Sequence, residues 1–298
     1  MDERGNALWE SAQVGDVGRV QQTLAAAAGL NPECVWSALS VAAYNDQAEC
    51  VALLLRAAPP PCRYLLPGLY GQYLGRAARA GFVHVVEAML CAVSVGVEVW
   101  HDGASALHVA GTPDVARALL AARASCAART TLLETPLMTA AYRGDVAVVA
   151  ALVAAKAGVN DVAHTRTALI AAAGGGRSLD VVSALVQAKA DVHAPARLGR
   201  TCLHAAVKHQ NAGLVDVLVA AKADVNAACT PLLHRGIPWA LRSFRLTPLD
   251  VCYDMAAAHG PVYRPILLKL LAVKATTVHP RSGGFTKELE CGWGEFRL

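Results

Sequence analysis

Thr135-Pro136-Leu137-Met138-Thr139-Ala140-Ala141-Tyr142-Arg143-Gly144-Asp145 runs on into Val148-Val149-Ala150-Ala151-Leu152-Val153. Thr135 has the chemistry of a helix cap, because its side-chain oxygen can accept from the free N–H groups of a first helical turn. Pro136 suits the next position, where its missing donor costs nothing. An alanine pair, a glycine and a valine-rich run ending in Leu-Val complete a helix-turn-helix unit.

The same unit recurs on either side. Thr201-Cys202-Leu203-His204-Ala205-Ala206 leads to Val217-Leu218-Val219, and between these two lies Thr167-Ala168-Leu169-Ile170-Ala171-Ala172, reaching Leu185-Val186. In the copy at Thr201, Leu203, Ala206 and Val207 share one helical face, as do Val215, Leu218 and Val219 in its second helix. Looser copies start at Asn6, Ser37, Gln72 and Ser105, and a last one at Thr247-Pro248-Leu249. Successive starts are 31, 35, 33, 30, 32, 34 and 46 residues apart. Seven of the eight are Asn, Ser or Thr, so a cap is expected at each. Every helix pair would expose apolar surface at both ends of a stack, and neighbouring copies must cover it.

After the second helices come Ala157-Gly158-Val159-Asn160, Ala190-Asp191-Val192-His193 and Ala223-Asp224-Val225-Asn226. With these segments, the period and the Thr-Pro-Leu starts, the chain resembles the ankyrin-repeat family, whose signature is T-P-L-H-x-A at a period of about 33 residues. The resemblance implies an all-α ankyrin-repeat solenoid of about eight helix-turn-helix repeats with short β-turn or hairpin fingers. It spans residues 1–275, with a long finger insertion over 228–245, followed by a C-terminal tail over 276–298. Lysine stands at Lys156, Lys189 and Lys222 where the family has glycine, a departure that bears on the turn geometry and not on the fold. The resemblance also implies that His108 and His204, at the fourth position of T-P-L-H, are structural and bond between repeats.

Composition narrows the function classes. The chain is 55% hydrophobic but only 5% aromatic, because alanine fills it, and alanine suits close helix packing. A mean hydropathy of +0.36 raises the question of a membrane span, yet the strongest apolar run, Val146 to Ala155, is half the ~20 residues a span needs. Met1-Asp2-Glu3-Arg4 lacks the basic and apolar regions of a signal peptide. The 27 basic and 23 acidic residues are scattered, with no basic stripe for nucleic acid. Nine cysteines, irregularly spaced and without a CxxC pair, read as free thiols in an intracellular, most simply cytoplasmic, compartment.

No catalytic constellation stands out: H-E-x-x-H, G-x-S-x-G and the P-loop lysine motif are all missing, so no enzymatic activity and no cofactor or metal is expected. Gly174-Gly175-Gly176 falls at a helix-to-helix turn rather than in a phosphate cradle. Function is therefore sought where the repeat breaks. The copy at Ser105 is three residues short, with Gly111-Thr112-Pro113 in place of a helix end, and the last copy carries extra residues, Met255 to Pro265, between its helices.

The largest break lies before Thr247, where about thirteen extra residues enter a finger. His234, Arg235, Trp239, Arg242, Phe244 and Arg245 lie in this acid-free stretch, and Trp and Arg are enriched at binding hot spots. Either they bind a partner, or Trp239 and Phe244 fold back onto the last repeats, since large aromatics need burial. Trp100 and His101, in the finger before Ser105, are a second candidate pair, against ordinary turn packing. Tyr64, Tyr70 and Tyr73, near the preceding finger, read as packing residues.

The expected role is protein–protein interaction: an adaptor or scaffold subunit, conceivably of a larger complex, that holds a protein partner on its concave finger face. Two alternatives stay open. Leu218, eight residues before Asn226, makes this segment look like the asparaginyl-hydroxylation segment of ankyrin proteins, so the repeats would be an enzyme's substrate. A substrate-recognition subunit of a ubiquitin ligase is the other, although residues 276–298 show no convincing leucine-rich box.

Overall fold

A computed structural model describes residues 3–26, 31–57, 66–92, 100–101, 103–163, 166–175, 178–196, 199–229 and 246–273. Sixteen helices are seen among them, in eight antiparallel-type pairs. The first helices of the pairs are α1 (Glu3–Val14), α3 (Pro32–Tyr44), α5 (Leu66–Ala80), α7 (Ala106–Val109), α9 (Pro136–Arg143), α11 (Ala168–Gly174), α13 (Cys202–Lys208) and α15 (Pro248–His259). Their partners are α2 (Val17–Ala25), α4 (Ala48–Ala57), α6 (Val83–Ala92), α8 (Pro113–Ala121), α10 (Val146–Ala154), α12 (Leu179–Gln187), α14 (Ala212–Ala220) and α16 (Arg264–Ala272). The only strands among the described residues are β1 (Trp100–His101) and β2 (Ala104–Ser105), paired antiparallel.

The chain divides into two compact units, 1–140 with 147–158, and 141–146 with 159–298. In the first unit, α1 packs on α3, α3 on α5 and α5 on α7, while the second helices stack alongside, α2 on α4, α4 on α6 and α6 on α8. In the second unit α11, α13 and α15 stack in the same way, and α12, α14 and α16 beside them.

A short apolar code builds these stacks. Val115, Ala116 and Leu119 are buried in α8; Val148, Val149 and Leu152 in α10; Val181, Val182 and Leu185 in α12; Leu214, Val215 and Leu218 in α14. Each triplet occupies i, i+1 and i+4, one face of a helix, and the four triplets are spaced by the same 33 residues. First helices bury small residues instead, such as Ala38, Ala42 and Ala43 in α3 or Ala171, Ala172 and Ala173 in α11. Alanine lets adjacent helix backbones approach closely, which explains a chain rich in apolar residues but poor in aromatics.

The frame expected from sequence is present, but its caps are not uniform. Thr135, Thr167, Thr201 and Thr247 precede helices and accept from, or box with, their first turns. Asn6, Ser37 and Gln72, by contrast, lie inside α1, α3 and α5. These helices have 12, 13 and 15 residues against 7 or 8 in α9, α11 and α13, so each begins before the expected cap. In α3 the cap is Asn31, whose Oδ1 accepts from the Glu33 N–H at 3.0 Å.

The short fourth copy has a first helix of only four residues. Its Gly111 N–H donates to the Ala78 carbonyl at 2.9 Å, and a Cβ on Gly111 would sit 2.3 Å from the Arg79 oxygen. Only glycine lets the shortened repeat close onto α5. The extra residues of the last copy do not form a loop. They extend α15 to His259, and a 3-10 turn over Gly260–Tyr263 leads straight into α16. Tyr263 is fully buried, and its hydroxyl reaches the Lys208 carbonyl at 3.3 Å.

Candidate protein-binding face

Four second helices hand the chain to a finger through one repeated turn. Arg123, Lys156, Lys189 and Lys222 follow α8, α10, α12 and α14 with φ of 66°, 61°, 64° and 63°. In the last three, the lysine N–H returns to Val153, Val186 or Val219, and the next N–H to Leu152, Leu185 or Leu218, at 2.9–3.0 Å. This double bond pattern closes a helix on a left-handed residue, a place glycine fills at less cost. Lysine in place of the family's glycine therefore leaves the turn intact.

The fingers then fold back on themselves at equivalent points. Thr130 donates to Glu134 at 2.9 Å, Ala163 exchanges two bonds with Arg166, and Ala196 donates to Arg200. The last finger has the same closure between Cys229 and Leu246: the Cys229 N–H donates to Leu246 at 2.8 Å and the Leu246 N–H returns to Cys229 at 2.7 Å. Thr130, Ala163, Ala196 and Cys229 are again 33 residues apart. Two or three residues fill the first three closures, and sixteen, 230–245, fill the fourth. The insertion thus leaves and re-enters the repeat at one spot.

Neighbouring fingers also hold one another. The Thr131 N–H donates to the Gly103 carbonyl at 3.3 Å, and a Cβ on Gly103, at φ +73°, would strike the Thr131 methyl at 2.7 Å. Asn160 spends both ends of its amide on the next turn, donating to the Lys189 carbonyl at 3.2 Å and accepting from the Asp191 N–H at 2.8 Å.

Beneath the fingers, two histidines each tie one repeat to the next. His108 Nδ1 accepts from the Ser105 N–H at 3.2 Å, which leaves Nε2 to donate to the Glu134 carbonyl at 3.0 Å. His204 does the same with Thr201 and the Leu246 carbonyl. Burial, with Arg200 adding to it, pushes the His204 pKa down to about 4, against the pull of the Leu246 carbonyl. In α15 the corresponding residue is Asp250, 2% exposed, whose Oδ2 takes both the Thr247 N–H and hydroxyl. A carboxylate completes that cap without histidine's outward donor.

His234, Arg235, Trp239, Arg242, Phe244 and Arg245 all lie outside the described residues, and so does the tail 276–298. Trp100 and His101 form β1, in register with Ser105 and Ala104. The structure brings neither candidate group into a described cluster. Of the tyrosines, Tyr70 is buried with its hydroxyl 2.7 Å from the Met89 carbonyl, and burial raises its pKa; Tyr64 is not described.

Two exposed features escape a reading of the sequence. Leu132 and Leu133 are 61% and 44% exposed at the tip of the finger after α8, and Leu133 has φ 58°. Tyr142, at the end of α9, is half exposed and carries the Arg166 guanidinium 5.6 Å from its ring centroid. The signal for the second pair was present but faint: Tyr142 stands two residues before Gly144, as Tyr44 stands two before Asp46, both at left-handed turns.

Among the described residues no group of three or more His, Cys, Asp or Glu could hold a metal ion, and no helix is long and apolar enough to cross a membrane. No curated protein matches the chain. The family model for ankyrin repeats matches residues 111–196 and 137–229. These are the residues in which the buried triplets, left-handed turns and finger closures keep a 33-residue period. Residues 111–229 are therefore ankyrin repeats, a module whose general role is protein–protein interaction.

Proposed function

We propose that the protein is an adaptor or scaffold subunit that captures a protein partner along its fingers, with residues 230–245 as the clamp. One observation carries this reading: Cys229 and Leu246 close the finger without the sixteen residues between them. The insertion is therefore not needed to complete the repeat. Its content of Trp239, Phe244, Arg235, Arg242 and Arg245 is what a recognition segment uses. Free buried thiols such as Cys34, Cys202 and Cys252 fit a cytoplasmic setting.

The test is capture from a source lysate by the intact chain and by a Trp239→Ala, Arg242→Ala double variant, with melting curves for both. Loss of a captured protein at unchanged stability supports the clamp, and unchanged capture by the folded variant overturns it.

A second reading, as substrate of an asparaginyl hydroxylase, is favoured by the exposure of Asn226 in the turn after α14. An intact-mass measurement on native protein showing no added oxygen would remove it.

A further inference from the structure

Between the first helices of the second and third repeats, α3 and α5, lies a cleft of about 130 Å3. Ala43, Tyr44, Tyr73, Arg76, Ala80 and Phe82 line it. All six belong to the same compact unit. Three of the six lining residues are aromatic and two are alanine, and the volume matches one branched or aromatic side chain. The Arg76 guanidinium lies over the Tyr44 ring, 5.0 Å from its centroid.

Charge decides what fits. Arg76 is the one ionisable cation in the lining, and no carboxylate lines the cleft. Among the described residues no acid pairs with Arg76, whose partner is the face of an exposed tyrosine. A second cation, Arg79, is exposed on the next turn of α5. A guanidinium stacked on an aromatic ring keeps its in-plane N–H groups free to donate to a carboxylate, and the stack holds them in place.

We infer that this cleft is a docking site for an acidic-hydrophobic segment of a partner protein: one aromatic or large aliphatic side chain enters between Tyr73 and Phe82, and an adjacent carboxylate bonds Arg76. None of the cleft residues lies within 230–245, so the failure of this site and that of the proposed clamp are distinguishable.

The test uses the full chain and fluorescein-labelled peptides followed by anisotropy. The probe is Glu-Glu-Phe-Glu-Glu; controls are Lys-Lys-Phe-Lys-Lys, Glu-Glu-Ala-Glu-Glu and an eight-nucleotide oligo-dT. The expected result is saturable binding of the first peptide alone, weakened at least tenfold by Arg76→Gln and by Phe82→Ala in variants whose melting curves show them folded, and unchanged by Trp239→Ala. Equal binding of the lysine peptide, preferential binding of oligo-dT, no binding of the acidic peptide up to about 1 mM, or full binding by folded Arg76→Gln each overturn the inference. Should Phe82→Ala unfold the chain, Arg76→Gln, which leaves the three aromatic rings in place, decides the matter by the same tenfold criterion.

Discussion

His204 Nε2 stands 3.2 Å from the carbonyl oxygen of Leu246, a residue 42 positions later in the chain that also closes the last finger. One imidazole thus joins a helix cap to the closure of the last finger, just ahead of α15. It does so only when neutral, since Nδ1 must accept from the Thr201 N–H.

The first prediction follows from that neutrality. With a folded pKa of about 4 against an ordinary 6.5, the native state binds fewer protons than the unfolded chain. The contribution of neutral His204 is complete above about pH 6.5 and is lost as pH falls towards 4, by roughly 2–3 kcal/mol. His204→Gln keeps the capping box but has no proton to gain. Between pH 7.5 and about 4.5, the unfolding free energy from urea titrations should fall further for the natural chain than for this variant, by that amount.

Gly111→Ala should cost about 2 kcal/mol, because the new methyl meets the Arg79 carbonyl, which is backbone and cannot rotate away. Gly174→Ala serves as the control, since a Cβ there meets nothing within 4 Å. Thermal melts of the two variants should separate by several degrees.

Glycine should stabilise the turns that lysine now occupies. Lys189→Gly and Lys222→Gly relieve left-handed backbone at φ 64° and 63°, and each should raise stability by about 0.5–1 kcal/mol after the entropy of the unfolded glycine is counted. Chemical denaturation of the single and double variants tests both the sign and the additivity.

Replacing residues 230–245 by the three-residue link of the Ala196–Arg200 finger separates the two roles of the insertion. A solvent-facing clamp predicts a chain more stable by roughly 1.5 kcal/mol, through a smaller loop-closure entropy, and unable to hold its partner. Burial of Trp239 and Phe244 on the repeats predicts the reverse, a loss of several kcal/mol.

Thiol labelling should follow burial. Cys202 and Cys252 are buried, and burial pushes both thiols up to about 12, whereas Cys91 is exposed. Brief alkylation at about pH 8 should therefore mark Cys91 and spare both others until denaturant is added, as peptide mass mapping would show.

Much of this fold is legible in the sequence because its contacts are periodic. The triplets at Val115, Val148, Val181 and Leu214 recur at one spacing, so the register of the second helices follows from counting. The early caps were not legible: Leu8, Leu39 and Leu74 are buried as the frame requires, but α1, α3 and α5 begin a turn or more ahead of them, and helix length is set by neighbours rather than by a local motif. Met255 to Pro265 reads as extra residues between two helices, yet 255–259 belong to α15 and 264–265 to α16, with Gly260 turning the chain at φ +75°. The α3–α5 cleft was hidden for another reason. Tyr44 and Arg76 meet across 32 residues, and nothing local to either announces the contact.

The pairing of Cys229 with Leu246 has a consequence for how such a protein can change. Because the two backbone bonds between Cys229 and Leu246 seal the finger by themselves, the clamp proposed for 230–245 could be exchanged as a cassette. If 230–245 is the proposed clamp, mutation there alters what is recognised while sparing the closure that carries it, so specificity and scaffold can evolve at different rates.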